Sequence, residues 1–227
     1  MTGAVLGIDT AGPVVGAAVS SSSGETTCWS ERIVRGADGV LIPAIETLLE
    51  RLSSGGTGLD RVAVSTGPGG FTGLRVGVST ALGLAVARQV PVVAVSSLAA
   101  RAALVPGEAR VLALLDARKG RVYAGLFDTR GDVPVALGPE RDVDPVEAMP
   151  DGPFVAVGEG ALVYAATVRG AGGALATDAG RSAAPAVARL GHLGAPLDPG
   201  EVQLRYIRPP DARVPRQLAG VRPEEND

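Results

Sequence analysis

Two aspartates and one glycine-rich turn carry most of the chemistry this sequence offers. Asp9 closes the apolar run 4–8 and Asp116 closes the run 111–115, so each sits where a buried strand of an α/β protein presents its ligands. Two carboxylates facing one cleft suit a magnesium-bound nucleotide, because Mg2+ takes one or two carboxylates and leaves its other positions to water and phosphate. Their followers, Thr10-Ala11-Gly12-Pro13 and Ala117-Arg118-Lys119-Gly120, make no clear phosphate cradle, and plain turn capping is an equal reading. The turn is Gly67-Pro68-Gly69-Gly70, opening a helix at Phe71. Gly69, Gly70 and Arg75 are candidate anion residues there, since backbone N–H groups at a helix start attract negative charge. The turn lacks the Gly-Lys-Ser/Thr ending of a P-loop and the spacing of a dinucleotide fingerprint, which favours a structural turn built for tight helix packing. Cys28 lies mid-strand beside Trp29 with no histidine partner, and His192 follows Gly191 at a helix end. No Gly-x-Ser-x-Gly elbow occurs, so no complete catalytic set is visible.

The elements that position these residues follow from periodicity. Runs 4–10, 14–20 and 25–34 read as three consecutive antiparallel strands. Asp38 is a candidate N-cap, and Leu41, Ile45, Leu48, Leu49 and Leu52 recur at helical spacing behind it. A strand at 62–64, a long helix at 71–89, a strand at 90–95 and a helix at 98–104 give a parallel α/β continuation. The long helix carries Gly73, Gly77 and Ala81 at four-residue spacing, with Leu74, Val78, Leu82 and Ala85 beside them. Each interior glycine costs about 1 kcal/mol against alanine, so close approach of another backbone is expected. From residue 112 the pattern restarts at an offset of 107 positions: Asp9 matches Asp116, Val15 matches Val122, Ala17 matches Ala124 and Gly24 matches Gly131. Two related α/β domains follow, at 1–104 and 105–208, then a proline-rich, poorly packed tail at 209–227. In the second half, helices are expected at 143–149, 161–169 and 185–193 and a strand at 154–157, with glycine-rich loop and a short strand across 170–179.

Composition narrows the function. Apolar residues make up 46% of 227 and aromatics only 3%, so the core is built of Ala, Val, Leu and Gly. A net charge of −3 supplies no basic footprint for gripping nucleic acid unaided. One cysteine and one histidine exclude a disulfide framework and multi-Cys or multi-His metal sites. The start has no signal-peptide pattern, and Gly73, Arg75, Ser79 and Thr80 make the long helix an interior helix rather than a membrane span. A cytoplasmic protein with no membrane attachment is expected.

With these residues assembled, the sequence resembles the TsaB (YeaZ) family over most of its length, most closely across residues 1–128. The matching stretches are Leu6-Gly7-Ile8-Asp9-Thr10, Gly67-Pro68-Gly69-Gly70-Phe71-Thr72-Gly73-Leu74-Arg75, Val93-Ala94-Val95-Ser96-Ser97-Leu98, Leu115-Asp116-Ala117-Arg118 and Tyr206-Ile207-Arg208. TsaB is the accessory subunit of the bacterial machinery that places threonylcarbamoyl on an adenosine beside the tRNA anticodon. The resemblance implies an actin-like, Hsp70-like (ASKHA) fold of duplicated α/β domains and a non-catalytic activator of a TsaD-like subunit. TsaD holds its metal through His-x-x-x-His, whereas this chain has His192 alone. It further implies docking of the two long N-terminal helices on TsaD, which makes Leu41, Ile45, Leu48, Phe71, Gly73, Leu74, Gly77, Val78, Ala81 and Leu82 candidate interface residues. A TsaE-like ATPase, ATP and magnesium, and tRNA reached through the complex are the other implied components. The chain departs from the family at Arg35-Gly36-Ala37-Asp38-Gly39, where members often carry a histidine. Three rival readings stand beside this one: an ATP-binding or ATP-hydrolysing enzyme using Asp9 and Asp116, a protease, and a homodimer through the same helices.

Overall fold

Strand β1 (Ala4–Asp9) is buried on both faces, and the alternation of its side chains sets the layers of the first lobe. Ala4, Leu6 and Ile8 face a core shared with Leu41, Ile45 and Leu48 of α1 (Asp38–Ser54) and with Val78, Ala81 and Ala85 of α2 (Phe71–Arg88). Val5 faces the other way, into a cluster with Ala186, Val187 and Leu190. The protein, a computed structural model, is described over residues 3–33, 38–177 and 179–208. Loop residues 35–37, the Asp38 side chain expected to cap α1, and the tail 209–227 lie outside the described residues.

Two strands extend β1 on one side, β2 (Val14–Ser20) and β3 (Thr26–Arg32), both antiparallel as expected from three successive strands. Strands β4 (Leu59–Gly67) and β5 (Val92–Ser96) extend it on the other side in parallel, giving the order β3-β2-β1-β4-β5. A short helix, α3 (Ser97–Ala102), begins at Ser96, whose hydroxyl accepts from the Ala99 N–H at 3.2 Å.

The second lobe repeats the first. Strands β6 (Val111–Arg118), β7 (Arg121–Asp128), β8 (Val135–Ala136), β9 (Arg141–Val143), β10 (Phe154–Val157) and β11 (Gly173–Leu175) form a sheet of order β11-β10-β6-β7-β8, with β9 also on β7. Strand β6 takes the place of β1, with an antiparallel neighbour on one side and parallel strands on the other. The duplication read from the matched aspartates is therefore the architecture.

Two local expectations are corrected. Residues 143–149 form no helix: β9 ends at Val143, and one turn follows in which the Val146 N–H donates to the Asp144 carboxylate at 2.8 Å and the Ala148 N–H to the Asp144 carbonyl at 3.1 Å. Pro150 then disfavours the helical region for Met149, so the counterpart of α1 shrinks to a turn. The helix expected at 161–169 is two, α4 (Glu159–Val163) and α5 (Ala165–Gly170), broken at Tyr164 where φ is −106° and ψ 32°.

The helix α6 (Ala184–Leu193) belongs by sequence to the second half but packs on the first sheet, against β1, β2 and β4. It rides low because Gly7 of β1 sits beneath the backbone of Ala188 and Gly191 beneath no side chain of its own meets Val5 and Ala63. His192 at its end donates from Nε2 to the Ser20 carbonyl at 3.0 Å, which is a packing role. No helix among the described residues is long and apolar enough to cross a membrane.

Candidate functional site

The strand end at Asp9-Thr10 meets the start of α2 at the cleft between the lobes. Gly73 and Gly77 lie against Thr10: a Cβ at Gly73 would run into the Thr10 carbonyl oxygen, and one at Gly77 into its hydroxyl. That hydroxyl donates to the Gly73 carbonyl at 2.7 Å. The close approach demanded by these helix glycines is thus met inside the chain. Gly69 meets Ala11 in the same way, and the Gly70 N–H donates to the Ala11 carbonyl at 2.8 Å, so this part of the turn is spent on packing. Gly67 holds φ at +125° with the Arg205 carbonyl against it, a position only glycine fills without strain. Gly73→Ala should therefore lower stability by about 1–3 kcal/mol, the usual cost of overpacking. Gly83→Ala, with nothing within 4 Å of its new methyl, should raise it by up to about 1 kcal/mol. Paired urea titrations check both; equal effects would remove the packing account.

Asp9 has no ligand positions to spare. Its Oδ2 lies 3.2 Å from Arg101 Nη2 and accepts from the Ala183 N–H at 3.2 Å, while Oδ1 accepts from the Ala11 N–H at 3.4 Å. Arg101, buried on α3, also reaches Glu159 of the second lobe at 3.6 Å from Nε. Burial pulls the guanidinium pKa down, but Asp9 and Glu159 together push it above its ordinary value, so it stays charged. Burial pushes the Glu159 carboxyl up, and Arg101 pulls it part of the way back. A fixed guanidinium thus occupies the Asp9 carboxylate and ties it to Glu159, so the residues present do not fit a magnesium-bound nucleotide at Asp9. Asp116 stands at the cleft mouth, where Oδ1 accepts from the Arg118 N–H at 2.9 Å in a turn-capping contact. Arg75 lies outside that pairing, stacked 3.7 Å over the centre of the Phe71 ring. Sequence reasoning missed Arg101 and Glu159. The available signal was a lone charge, Arg101, in the otherwise uncharged helix Ser97-Leu98-Ala99-Ala100-Arg101-Ala102.

A second site lies on the outer side of the first lobe. A groove of about 1180 Å3 runs between α1 and α2, with Ile42, Glu46 and Glu50 on one bank and Ser79, Gly83 and Arg88 on the other. Of the residues expected at a partner interface, Leu41, Ile45, Leu48, Leu74, Gly77, Val78 and Ala81 are buried within the chain. Leu74 joins the lobes, packing with Ala11, Leu98 and Val111, and only Ile45 among these also reaches the groove. Phe71 and Gly73 are half-buried at the cleft, and Leu82 is half-buried against the first core. On α1 and α2 the exposed large apolar side chains are instead Ile42, half exposed, and Val86, 65% exposed. Between Arg75 and Arg88 the helix carries no charge, so its outward residues Ser79, Gly83, Val86 and Ala87 form an uncharged face. Small residues line both sides of α2, and the inner side is set by Thr10.

Comparison with known proteins places this geometry. A family model described as TsaD, tRNA N6-adenosine threonylcarbamoyltransferase, matches residues 37–156, just over half of the chain. The tRNA threonylcarbamoyladenosine biosynthesis protein TsaB of Bacillus subtilis (strain 168) is 29% identical over 140 residues, covering 61% of each chain. Its namesake from Escherichia coli (strain K12) is 34% identical over 122 residues, covering 52% of each. The matched segment thus spans between half and two thirds of these curated relatives. The solved structure of YeaZ from Pseudomonas aeruginosa superposes with a TM-score of 0.75 at 26% identity, over 90% of this chain and 99% of that one. A further structure from that organism, described as an uncharacterized protein with similarity to peptidase YEAZ, gives 0.74 at 26% identity over 91% and 100%.

Proposed function

The chain belongs to the TsaD family, as a member of TsaB (YeaZ) type, and from that premise we propose that it is a non-catalytic subunit of a tRNA threonylcarbamoyladenosine-forming complex. It docks a TsaD-like catalytic subunit through the outer face of α1 and α2 and acts on tRNA only within the complex. A TsaE-like ATPase completes the assembly, which uses ATP and magnesium. The protein works in the cytoplasm.

The observation that carries this reading is the outer face of α2. A solvent-facing helix side with no charge over twelve residues, next to half-exposed Ile42, is a surface that a partner helix covers at little desolvation cost. Gly83 adds to it, because an interior helix glycine that nothing in the chain approaches leaves room for a foreign backbone. The rival ATP-using enzyme is disfavoured by Arg101 between Asp9 and Glu159. A cysteine peptidase needs its thiol beside a base, yet Cys28 is exposed on the edge strand β3 and His192 is tied to Ser20, and no cluster of three metal-ligating side chains occurs among the described residues.

The test is capture of the TsaD-like protein of the same organism by the full-length chain, followed by sizing of the eluate. A stable mixed complex is expected, with ATP turnover by the chain alone at background. Failure of capture, or recovery of homodimer alone in the presence of the partner, sinks the proposal.

A further inference from the structure

Beside the inter-lobe cleft two carboxylates, Asp142 and Glu140, are buried, while several guanidinium groups project. Asp142 is held by Arg121 at 2.7 Å and Arg208 at 3.2 Å, and Glu140 accepts from the Ser96 hydroxyl at 2.5 Å and pairs with Arg205 at 3.1 Å. Both carboxylate side chains are nearly inaccessible. The Arg118 side chain, by contrast, is 82% exposed and only 3.9 Å from its nearest acid, Asp116. Arg32 of β3 is exposed and lines the same opening, and exposed Arg75 lies over its Phe71. The cleft mouth of a chain of net charge −3 therefore carries projecting guanidinium groups beside the less accessible acids Asp116 and Glu159.

The same opening carries stacking surfaces. The segment after α6 crosses from lobe to lobe, its Arg205 N–H donating to the Thr66 carbonyl at 2.8 Å, and lays the Tyr206 ring on Phe71 with centroids 5.1 Å apart. Arg75 covers Phe71 and reaches the Tyr206 hydroxyl at 3.4 Å, which holds Tyr206 in place while leaving its ring partly exposed. Tyr123 lines the same cleft, whose volume is about 610 Å3.

We propose that this rim binds an RNA strand, with Arg32 and Arg118 on its phosphates and an unstacked base on Tyr206. Guanidinium groups match phosphate oxygens bidentately, and aromatic rings accept any base face, which is the combination single-stranded RNA requires. The proposal deepens the reading above and rests on it for the identity of the RNA, a tRNA, since it gives this chain part of the substrate contact. Two phosphate contacts predict a slope of about −1.4 in log K against log salt. Binding by the chain alone is then weak and confined to low ionic strength.

The experiment is fluorescence anisotropy of a labelled, unmodified tRNA transcript with the full-length chain across a salt series. Wild type is compared with Arg118→Glu and Tyr206→Ala, both checked for fold by circular dichroism. Arg118→Glu should weaken binding about tenfold, the equivalent of one charge-assisted contact, and flatten the salt slope by about 1. Tyr206→Ala should weaken binding without changing the slope. An unchanged affinity and slope in Arg118→Glu overturns the proposal, as does absence of wild-type binding at low salt. Displacement of the transcript by stoichiometric Mg-ATP overturns it in favour of a mononucleotide. Loss of capture of the TsaD-like protein by Arg118→Glu, with RNA affinity intact, overturns it in favour of a protein contact. If wild type captures no partner yet binds RNA with the Arg118 dependence, the proposed function fails and the rim assignment stands.

Discussion

Arg101→Met lowers the stability of the folded chain by about 3–5 kcal/mol at neutral pH, the range found when one partner of a buried ion pair is removed. The arginine contacts Asp9 of one lobe and Glu159 of the other, and its loss removes the cation that both carboxylates share. The penalty depends on pH with a definite sign. Burial already raises the Glu159 carboxyl and Arg101 opposes that, so removing Arg101 raises it further. A group whose folded pKa exceeds its unfolded value contributes fully below the unfolded pKa and loses that contribution as pH rises through the folded one. The cost of Arg101→Met is therefore smallest in mild acid and grows toward neutrality. Urea unfolding of both proteins at several pH values reads this directly, and a penalty that is small or independent of pH would remove Arg101 as the ionic link between the lobes.

Val86→Glu should weaken capture of the TsaD-like partner by about 2 kcal/mol or more, some thirtyfold, if that side chain anchors the docking face. Val86 is 65% exposed, so the substitution should leave stability within about 0.5 kcal/mol of wild type. Gly83→Leu makes the sharper test because its two effects differ in sign. A leucine replaces a poor helix former where nothing crowds it, which stabilises the monomer, while filling the space a partner backbone would enter. A variant that is more stable and yet loses the partner would fit no explanation based on misfolding. Retained capture by both variants would move the interface elsewhere. Leu74→Glu would not serve, since Leu74 is fully buried between the lobes and its substitution reports folding.

The sequence made some of these features readable and hid others for physical reasons. Duplication was legible because Asp9 and Asp116 each end an apolar run at the same offset as Val15 and Val122. The two sides of α2 were not separable: Gly73-Gly77-Ala81 and Ser79-Gly83-Ala87 are both small-residue stripes, and hydropathy alone does not say which meets the sheet. The helix expected at 143–149 failed because its apolar spacing outweighed Pro145 and Pro150, which leave room for a single turn. The pairing of Arg101 with Glu159 joins residues more than fifty positions apart, and no local pattern announces it. The projecting arginines of the cleft mouth were hidden by their opposites, since total charge counts the less accessible acids equally with them.

The crossing of α6 onto the first sheet has a consequence for biosynthesis. Val5, Ala63 and Val93 are translated early, but Ala186, Val187 and Leu190, which cover them, leave the ribosome about ninety residues after β5 ends. At about 5–20 residues per second, that apolar side of the nascent sheet waits roughly 4–18 s for its cover. A ribosome stalled in the second lobe would therefore hold out a sticky half-sheet, a substrate for chaperones.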